Sequence, residues 1–154
     1  KLPGLKVLVH GGGQRATQLS RRLGIEPRMV DGRRITDAES LEVAVMVYGG
    51  WANKTLVAAL QALGCPALGL SGADADLIRA RKRPVQQIDY GFVGDIEKVR
   101  ATPLSGLLES GLVPVFCALT HDGNGQLLNT NADTIASAVA VALRLGQVST
   151  NNPL

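Results

Sequence analysis

Short aliphatic runs, broken by glycines and by stretches with helical spacing, set the pattern of this chain. Leu5-Lys-Val-Leu-Val9 stops at His10-Gly-Gly-Gly13. Beyond the glycines, Ala16, Leu19 and Leu23 fall at i, i+3 and i+7, which predicts a helix over Gln14 to Leu23 with Gly24 as its stop. Ala67-Leu-Gly-Leu70 and Val113-Pro-Val-Phe-Cys117 read as buried strands, and Tyr90 to Ile96 alternates well enough for another. Leu104 to Ser110 reads as a short helix ended by Gly111, and Thr134 to Leu145, rich in Ala and Val, as a longer one. The longest helical pattern runs from Ala38 to about Leu63, carrying Leu41, Val45 and Tyr48, then Leu56, Ala59, Leu60 and Leu63. A bend is expected in it near Gly49-Gly50.

Turn chemistry adds two hairpins. Asp31-Gly32 joins Pro27–Val30 to Arg33–Thr36, and Asp-Gly is a strong hairpin signal because both residues tolerate positive φ. Thr120 to Gly125 is a polar turn leading to Gln126-Leu-Leu-Asn129. Thr36 or Asp37 is expected to cap the long helix, and Thr36-x-x-Glu39 fits a capping box. Asn131-Ala-Asp133 is expected to cap the last helix. Helices alternating with aliphatic strands imply an α/β protein, with a mostly parallel sheet covered on both faces and two hairpins interrupting it. At 154 residues the chain suits a single domain.

Composition narrows the function. Aromatics are 3% of the chain and the net charge is only +3, which argues against a stacking platform for single-stranded nucleic acid. The basic run Arg79-Ala-Arg-Lys-Arg83 reads as a solvated surface loop, with an anion site as the alternative. Cys65 and Cys117 lack metal-ligand spacing and read as small buried thiols of a reducing compartment. Unbroken apolar stretches fall far short of the ~18–20 residues of a membrane helix, so no membrane and a cytoplasmic location are expected. The start at Lys1, without Met, and the polar tail Val148–Leu154 both read as ends cut from something longer.

Three constellations could carry chemistry. The consecutive glycines of His10-Gly-Gly-Gly13 let a ligand approach bare backbone whose N–H groups attract negative charge. Neither G-x-x-x-x-G-K-[ST] nor G-x-G-x-x-G is completed, since position 16 is Ala. The same tetrapeptide serves as an oxyanion hole in esterases; that alternative needs Ser71 as nucleophile, with Asp89 or Asp95 and His121 behind it. Arg33 and Arg34 on the hairpin point to opposite faces, so one guanidinium is expected to face a site and grip a carboxylate. Asn129-Thr-Asn-Ala-Asp133 is denser in polar groups than a helix cap requires.

Together these segments closely resemble the N-acetylglutamate kinases of the amino-acid kinase family. The resemblance is carried by Val9-His-Gly-Gly-Gly13, Asp31-Gly-Arg-Arg-Ile-Thr36, Asn53-Lys54, Gly69-Leu-Ser-Gly-Ala-Asp74, Gly91-Phe-Val-Gly-Asp95, Gly111-Leu-Val-Pro-Val115 and Asn129-Thr-Asn-Ala-Asp133, in order. It implies the N-terminal lobe of an αβα sandwich. It also implies phosphorylation of the side-chain carboxylate of N-acetyl-L-glutamate by ATP, supplied with Mg2+ as a co-substrate complex, in arginine biosynthesis. By position, Gly11 and Gly12 would offer backbone N–H groups to the transferred phosphoryl and the substrate carboxylate. Arg34 would hold the α-carboxylate, Asn129 the acylamino group or α-carboxylate, and Asp133 would orient catalytic lysines. The helix holding Asn53 and Lys54 would form a homodimer interface. Such chemistry rests on positioning and on spreading positive charge, with no covalent nucleophile.

Departures from the family pattern matter as well. An earlier Lys-bearing strand and a C-terminal half with most of the nucleotide site would lie outside the sequence. Residues 1–154 are therefore expected to be the acyl-amino-acid-binding lobe, incomplete at both ends. By themselves they should bind acylated glutamate poorly and turn over negligibly. N-succinylglutamate is an alternative substrate, and binding without catalysis an alternative role.

Overall fold

The computed structural model describes residues 6–30 and 32–150, with 145–150 as backbone only. Leu5, Asp31 and the end of the polar tail lie outside the described residues. The first strand, β1 (Leu8–His10), runs into the glycines, and α1 (Gly13–Arg22) follows directly. Ala16 is buried under α1, while Leu23 is exposed and Gly24 turns the chain at φ 77°. The hairpin forms as expected: β2 (Met29–Val30) and β3 (Arg33–Arg34) pair antiparallel, Met29 opposite Arg34.

The long helix is continuous over Ala38–Ala62. It comprises α2 (Ala38–Ala44), a π-helical stretch Val45–Ala52, and α3 (Asn53–Ala62). Asp37 caps it, accepting from the Ser40 N–H at 2.9 Å. Thr36 does not, because it is fully buried and its backbone pairs with Tyr90 and Phe92 instead. Gly49-Gly50, where a bend is expected, lies within that π stretch; the helix widens there and continues, the Asn53 N–H reaching the Tyr48 carbonyl five residues back. By length and composition this helix could cross a membrane. Here it packs along the sheet, with Val43, Ala44, Val47 and Tyr48 in the core.

Three strands form the parallel sheet, in the order β1, β7 (Val113–Cys117), β4 (Ala67–Leu70). On β7 the two-residue period sends Phe116 into one core and Cys117 into another. The Cys117 core is closed by α1, α2 and the π stretch. The Phe116 core is closed by α4 (Ala101–Glu109) and α5 (Ala132–Thr150) through Leu104, Ile135 and Val139. This is the α/β layering the sequence predicts.

Beside it stands a four-stranded mixed sheet, in the order β6 (Gly94–Val99), β5 (Ile78–Lys82), β8 (Leu119–His121), β9 (Leu127–Asn129). Among the described strands, parallel pairing joins β1, β7 and β4 and the β5–β8 pair, with isolated parallel bridges at Thr36–Gly91 and Val93–Asn129. The basic run is not a loop: Ile78 and Ala80 are buried while Arg79 and Arg81 face outward, so the charges decorate a half-buried strand. Tyr90–Val93 is not regular strand, because Gly91 turns at φ 71° against the Thr36 backbone before β6 begins. The second hairpin, β8–β9, pairs Leu119 with Asn129 and closes on the expected polar turn.

Candidate functional site

At the carboxyl ends of β1 and β7, an open cavity of about 470 Å³ gathers residues far apart in sequence. Gly11, Gly12 and Gly13 form its floor, the hairpin brings Arg33 and Arg34, and Asn129 to Ala132 bring the end of β9 and the start of α5. Arg83 and Tyr90 complete the rim.

The three glycines differ in what they do. Gly12 has φ 174° and ψ 16°, outside the left-handed region, so no positive-φ turn selects glycine there. Space does: a Cβ at Gly12 would lie 2.6 and 2.9 Å from ring carbons of Tyr48. At Gly11 and Gly13 a Cβ would meet nothing within 4 Å. The α1 N-terminus beyond them has no side-chain cap, so its first-turn N–H groups are available to an anion.

Arg34 ties the hairpin to this turn, one guanidinium nitrogen donating to the Gly13 carbonyl at 3.1 Å and to Thr17 Oγ1 at 2.6 Å. Burial pushes the Tyr48 phenol above its ordinary pKa, against the pull of the Arg34 charge. Asn129 donates from Nδ2 to Thr36 Oγ1 at 3.0 Å. Asn131, not Asp133, caps α5, accepting from the Thr134 N–H at 3.0 Å.

Glycine turn, Arg34 and Asn129 therefore meet around one space. Asp133 does not join them; it is exposed on the first turn of α5, outside the cavity lining. Arg33 does join, although alternation on the hairpin predicted only one arginine at a site, because the cavity wraps around the hairpin tip. Arg83, read as part of a surface run, pairs with Asp95 at 2.6 Å and stands over the Tyr90 ring. A neighbouring open hollow of about 650 Å³ shares Arg33, Arg83 and Tyr90 with the cavity. Among the described residues the cavity lining holds three arginines and no acidic side chain, which favours a ligand carrying more than one negative charge. Tyr48 and Arg83 went unread as site residues because Tyr48 meets Gly12 from 36 positions away and Arg83 lines the same cavity from 71 positions away, visible in no local pattern.

The esterase arrangement does not assemble. The Ser71 hydroxyl donates to Asp74 at 2.7 Å, and β4 leads into a 3-10 turn, Asp74–Asp76, instead of a helix. Asp95 is held by Arg83, and Asp89 accepts the Gly91 N–H. His121 Nε2 lies 2.9 Å from Asp76, in poor alignment for a hydrogen bond, and Nδ1 accepts from the Gly123 N–H. Among the described residues there is no group of three or more His, Cys, Asp or Glu side chains able to hold a metal ion.

Asn53, on the helix expected to form a subunit interface, is itself buried against the sheet. Its Nδ2 donates to the Val115 carbonyl at 2.9 Å and contacts His10 Nε2 at 3.0 Å. Lys54 Nζ reaches the Asn53 amide oxygen at 3.1 Å.

Comparison with known proteins agrees with this architecture. The chain is 62% identical over 142 residues to the acetylglutamate kinase of Bacteroides thetaiotaomicron, covering 92% of this chain and 55% of that protein. It thus spans about half the length of the curated relatives it matches. Among solved structures, the smu.665 protein of Streptococcus mutans superposes with a TM-score of 0.82 at 28% identity, covering 90% of this chain and 56% of that one. N-acetylglutamate synthase from Neisseria gonorrhoeae, complexed with coenzyme A and N-acetyl-glutamate, gives a TM-score of 0.76 at 27% identity, covering 90% of this chain and 31% of that one. The family model described as amino acid kinase family matches residues 6–149. A three-stranded parallel sheet with helices on both faces, a glycine corner at its carboxyl edge and this match together make the chain a member of the amino-acid kinase family.

Proposed function

We propose that this chain is the acyl-amino-acid-binding lobe of a kinase that phosphorylates the side-chain carboxylate of N-acetyl-L-glutamate. The reaction forms an acyl phosphate from ATP, as a step of arginine biosynthesis. The observation that carries this reading is the convergence of the glycine turn, Arg34 and Asn129 on one arginine-lined cavity. N-acetyl-L-glutamate has two carboxylates and one amide. The α-carboxylate fits the Arg34 guanidinium, the acylamino group fits the Asn129 amide, and the side-chain carboxylate fits the N–H groups at Gly11 and Gly12. A carboxylate and a polyphosphate repel each other, and those N–H donors offset the charge building between them. ATP, with Mg2+ as its complex, enters as co-substrate. Asp133 would orient catalytic lysines, as the resemblance implies, from its exposed position on the first turn of α5. The free Cys65 and Cys117 fit a reducing, cytoplasmic setting.

A second substrate has one observation behind it. The hollow beside the cavity, edged by Arg33 and by the Arg83–Asp95 pair, leaves room and one arginine charge for an acyl group with its own carboxylate, such as N-succinylglutamate.

The long helix supports the homodimer reading, though through residues other than Asn53. Met46 and Trp51, on its π stretch, are 51% and 54% exposed. A second copy of the chain would cover them.

Titrating the chain with N-acetyl-L-glutamate up to millimolar concentration, followed by amide NMR, tests the site. Gly11, Gly12 and Asn129 resonances should shift, with weak affinity. Arg34→Lys should weaken binding a further tenfold or more, about 1.4 kcal/mol, because an ammonium cannot replace the planar fork. Shifts confined to residues outside the cavity would sink this reading. In an ATP-dependent hydroxamate assay, the 154 residues alone should give negligible product, and a chain of the relatives' full length a ready one.

A further inference from the structure

We propose that His10 and Asn53 are positioning residues, which never touch substrate but fix the peptide between Gly11 and Gly12 so that its N–H faces the cavity. The argument begins at the Val115 carbonyl, which can only accept a hydrogen bond. Asn53 must therefore present its NH2 group to it, at 2.9 Å, and that fixes the amide orientation. The other hydrogen of the same NH2 points at His10 Nε2, 3.0 Å away. An amide nitrogen only donates, so Nε2 has to be the unprotonated ring nitrogen. The neutral ring then carries its hydrogen on Nδ1, which donates to the Gly11 carbonyl at 2.7 Å. Asn53 Oδ1 is taken by Lys54 Nζ at 3.1 Å, so every polar atom of this buried amide has a partner.

The consequence for the turn is geometric. No cis peptide occurs among the described residues, and across a trans peptide the C=O and the next N–H point in opposite directions. His10 is outside the cavity lining, whereas Gly11, Gly12 and Gly13 are within it. Holding the Gly11 carbonyl toward His10 therefore turns the Gly12 N–H toward the cavity. Two further features serve the same relay. Gly69 leaves the space that the Asn53 amide fills, since a Cβ there would collide with Asn53 Oδ1 and lie 2.9 Å from Lys54 Nζ. The π stretch sets the rotation of Asn53: in an α-helix Tyr48 and Asn53 would diverge by about 140°, whereas i to i+5 bonding brings residues five apart nearly into line. Tyr48 packs on Gly12 and Asn53 holds His10, so one helical stretch braces the turn from both sides.

The effect on ligand binding rests on the proposed function, but the relay itself does not, and the test separates them. Long-range 1H–15N NMR of the unliganded chain at neutral pH should show His10 as the Nδ1–H tautomer. His10→Gln keeps an acceptor near the Nε2 position for Asn53 but loses the donor to Gly11. It should melt near the wild-type temperature, move the Gly12 amide resonance, and bind N-acetyl-L-glutamate about tenfold more weakly. His10→Asn keeps a donor near the Nδ1 position and should restore most of that affinity. An Nε2–H tautomer, or a His10→Gln protein with an unmoved Gly12 resonance, overturns the proposal. If the wild-type chain ignores N-acetyl-L-glutamate while the tautomer and the Gly12 shift are as stated, the substrate reading falls and the relay stands.

Discussion

Adjacent glycines in one tripeptide are replaceable at very different cost. Gly12→Ala drives a methyl into the Tyr48 ring and should destabilise the fold by about 1–3 kcal/mol, measured by urea denaturation. Tyr48→Leu in the same chain should recover part of that loss. Gly11→Ala meets no atom within 4 Å and should leave stability within about 0.5 kcal/mol, while weakening N-acetyl-L-glutamate binding at the cavity floor. Cys117 gives a pH signature. Burial pushes its thiol from 9.0 up to about 11. The unfolded thiol ionises first, so stability holds below pH 9 and falls between pH 9 and 11, by an amount on the order of 3 kcal/mol. Cys117→Ala should flatten that stretch of the pH–stability curve. The glycine turn, Arg34 and Asn129 were legible as site residues because each is chemically conspicuous where it stands. Tyr48 was not: at the sequence level it is one more apolar position on a helix, and only tertiary contact shows that it shapes the turn.

Elements were legible where one signal dominated. Asp-Gly fixed the first hairpin, and Gly24 and Gly111 mark helix ends with φ of 77° and 81°. The strand β5 was missed since its outward positions are Arg79 and Arg81, and charge hid the inward Ile78 and Ala80. Thr36 and Asp37 competed for one cap, and the backbone pairing of Thr36 with Tyr90 and Phe92 decides it. Asp37→Ala should cost about 1 kcal/mol in thermal or chemical melts, and Asp37→Asn much less. The Ser40 N–H bond holds the Asp37 carboxyl below its ordinary value of 3.8. The charged cap is therefore fully effective at neutral pH, and its contribution fades as pH falls below about 4 toward the lowered folded value. The Asp37→Asn protein should lack this acid-side slope.

For the molecule as a whole, layering followed from the alternation of strand and helix, with Phe116 and Cys117 serving opposite cores. The mixed four-stranded sheet did not, because pairing partners such as β5 and β8 are set by long-range contacts that local periodicity cannot report. Association is the prediction that belongs at this scale. Sedimentation should show a concentration-dependent dimer, and Trp51→Glu with Met46→Glu should shift it to monomer with the melting temperature of the monomeric fold retained. A wild-type chain that stays monomeric at hundreds of micromolar would remove this helix as the interface.

The wide-turn segment Val45–Ala52 is equivalent to an α-helix carrying one residue too many. Excising Gly50 alone would leave Tyr48 and Asn53 four positions apart, about 40° around an ordinarily wound α-helix, so the two would still share a face. Both supports of the anion-binding corner would survive that deletion, whereas tightening the segment to ordinary winding with every residue kept would part the aromatic brace and the amide anchor by about 140°.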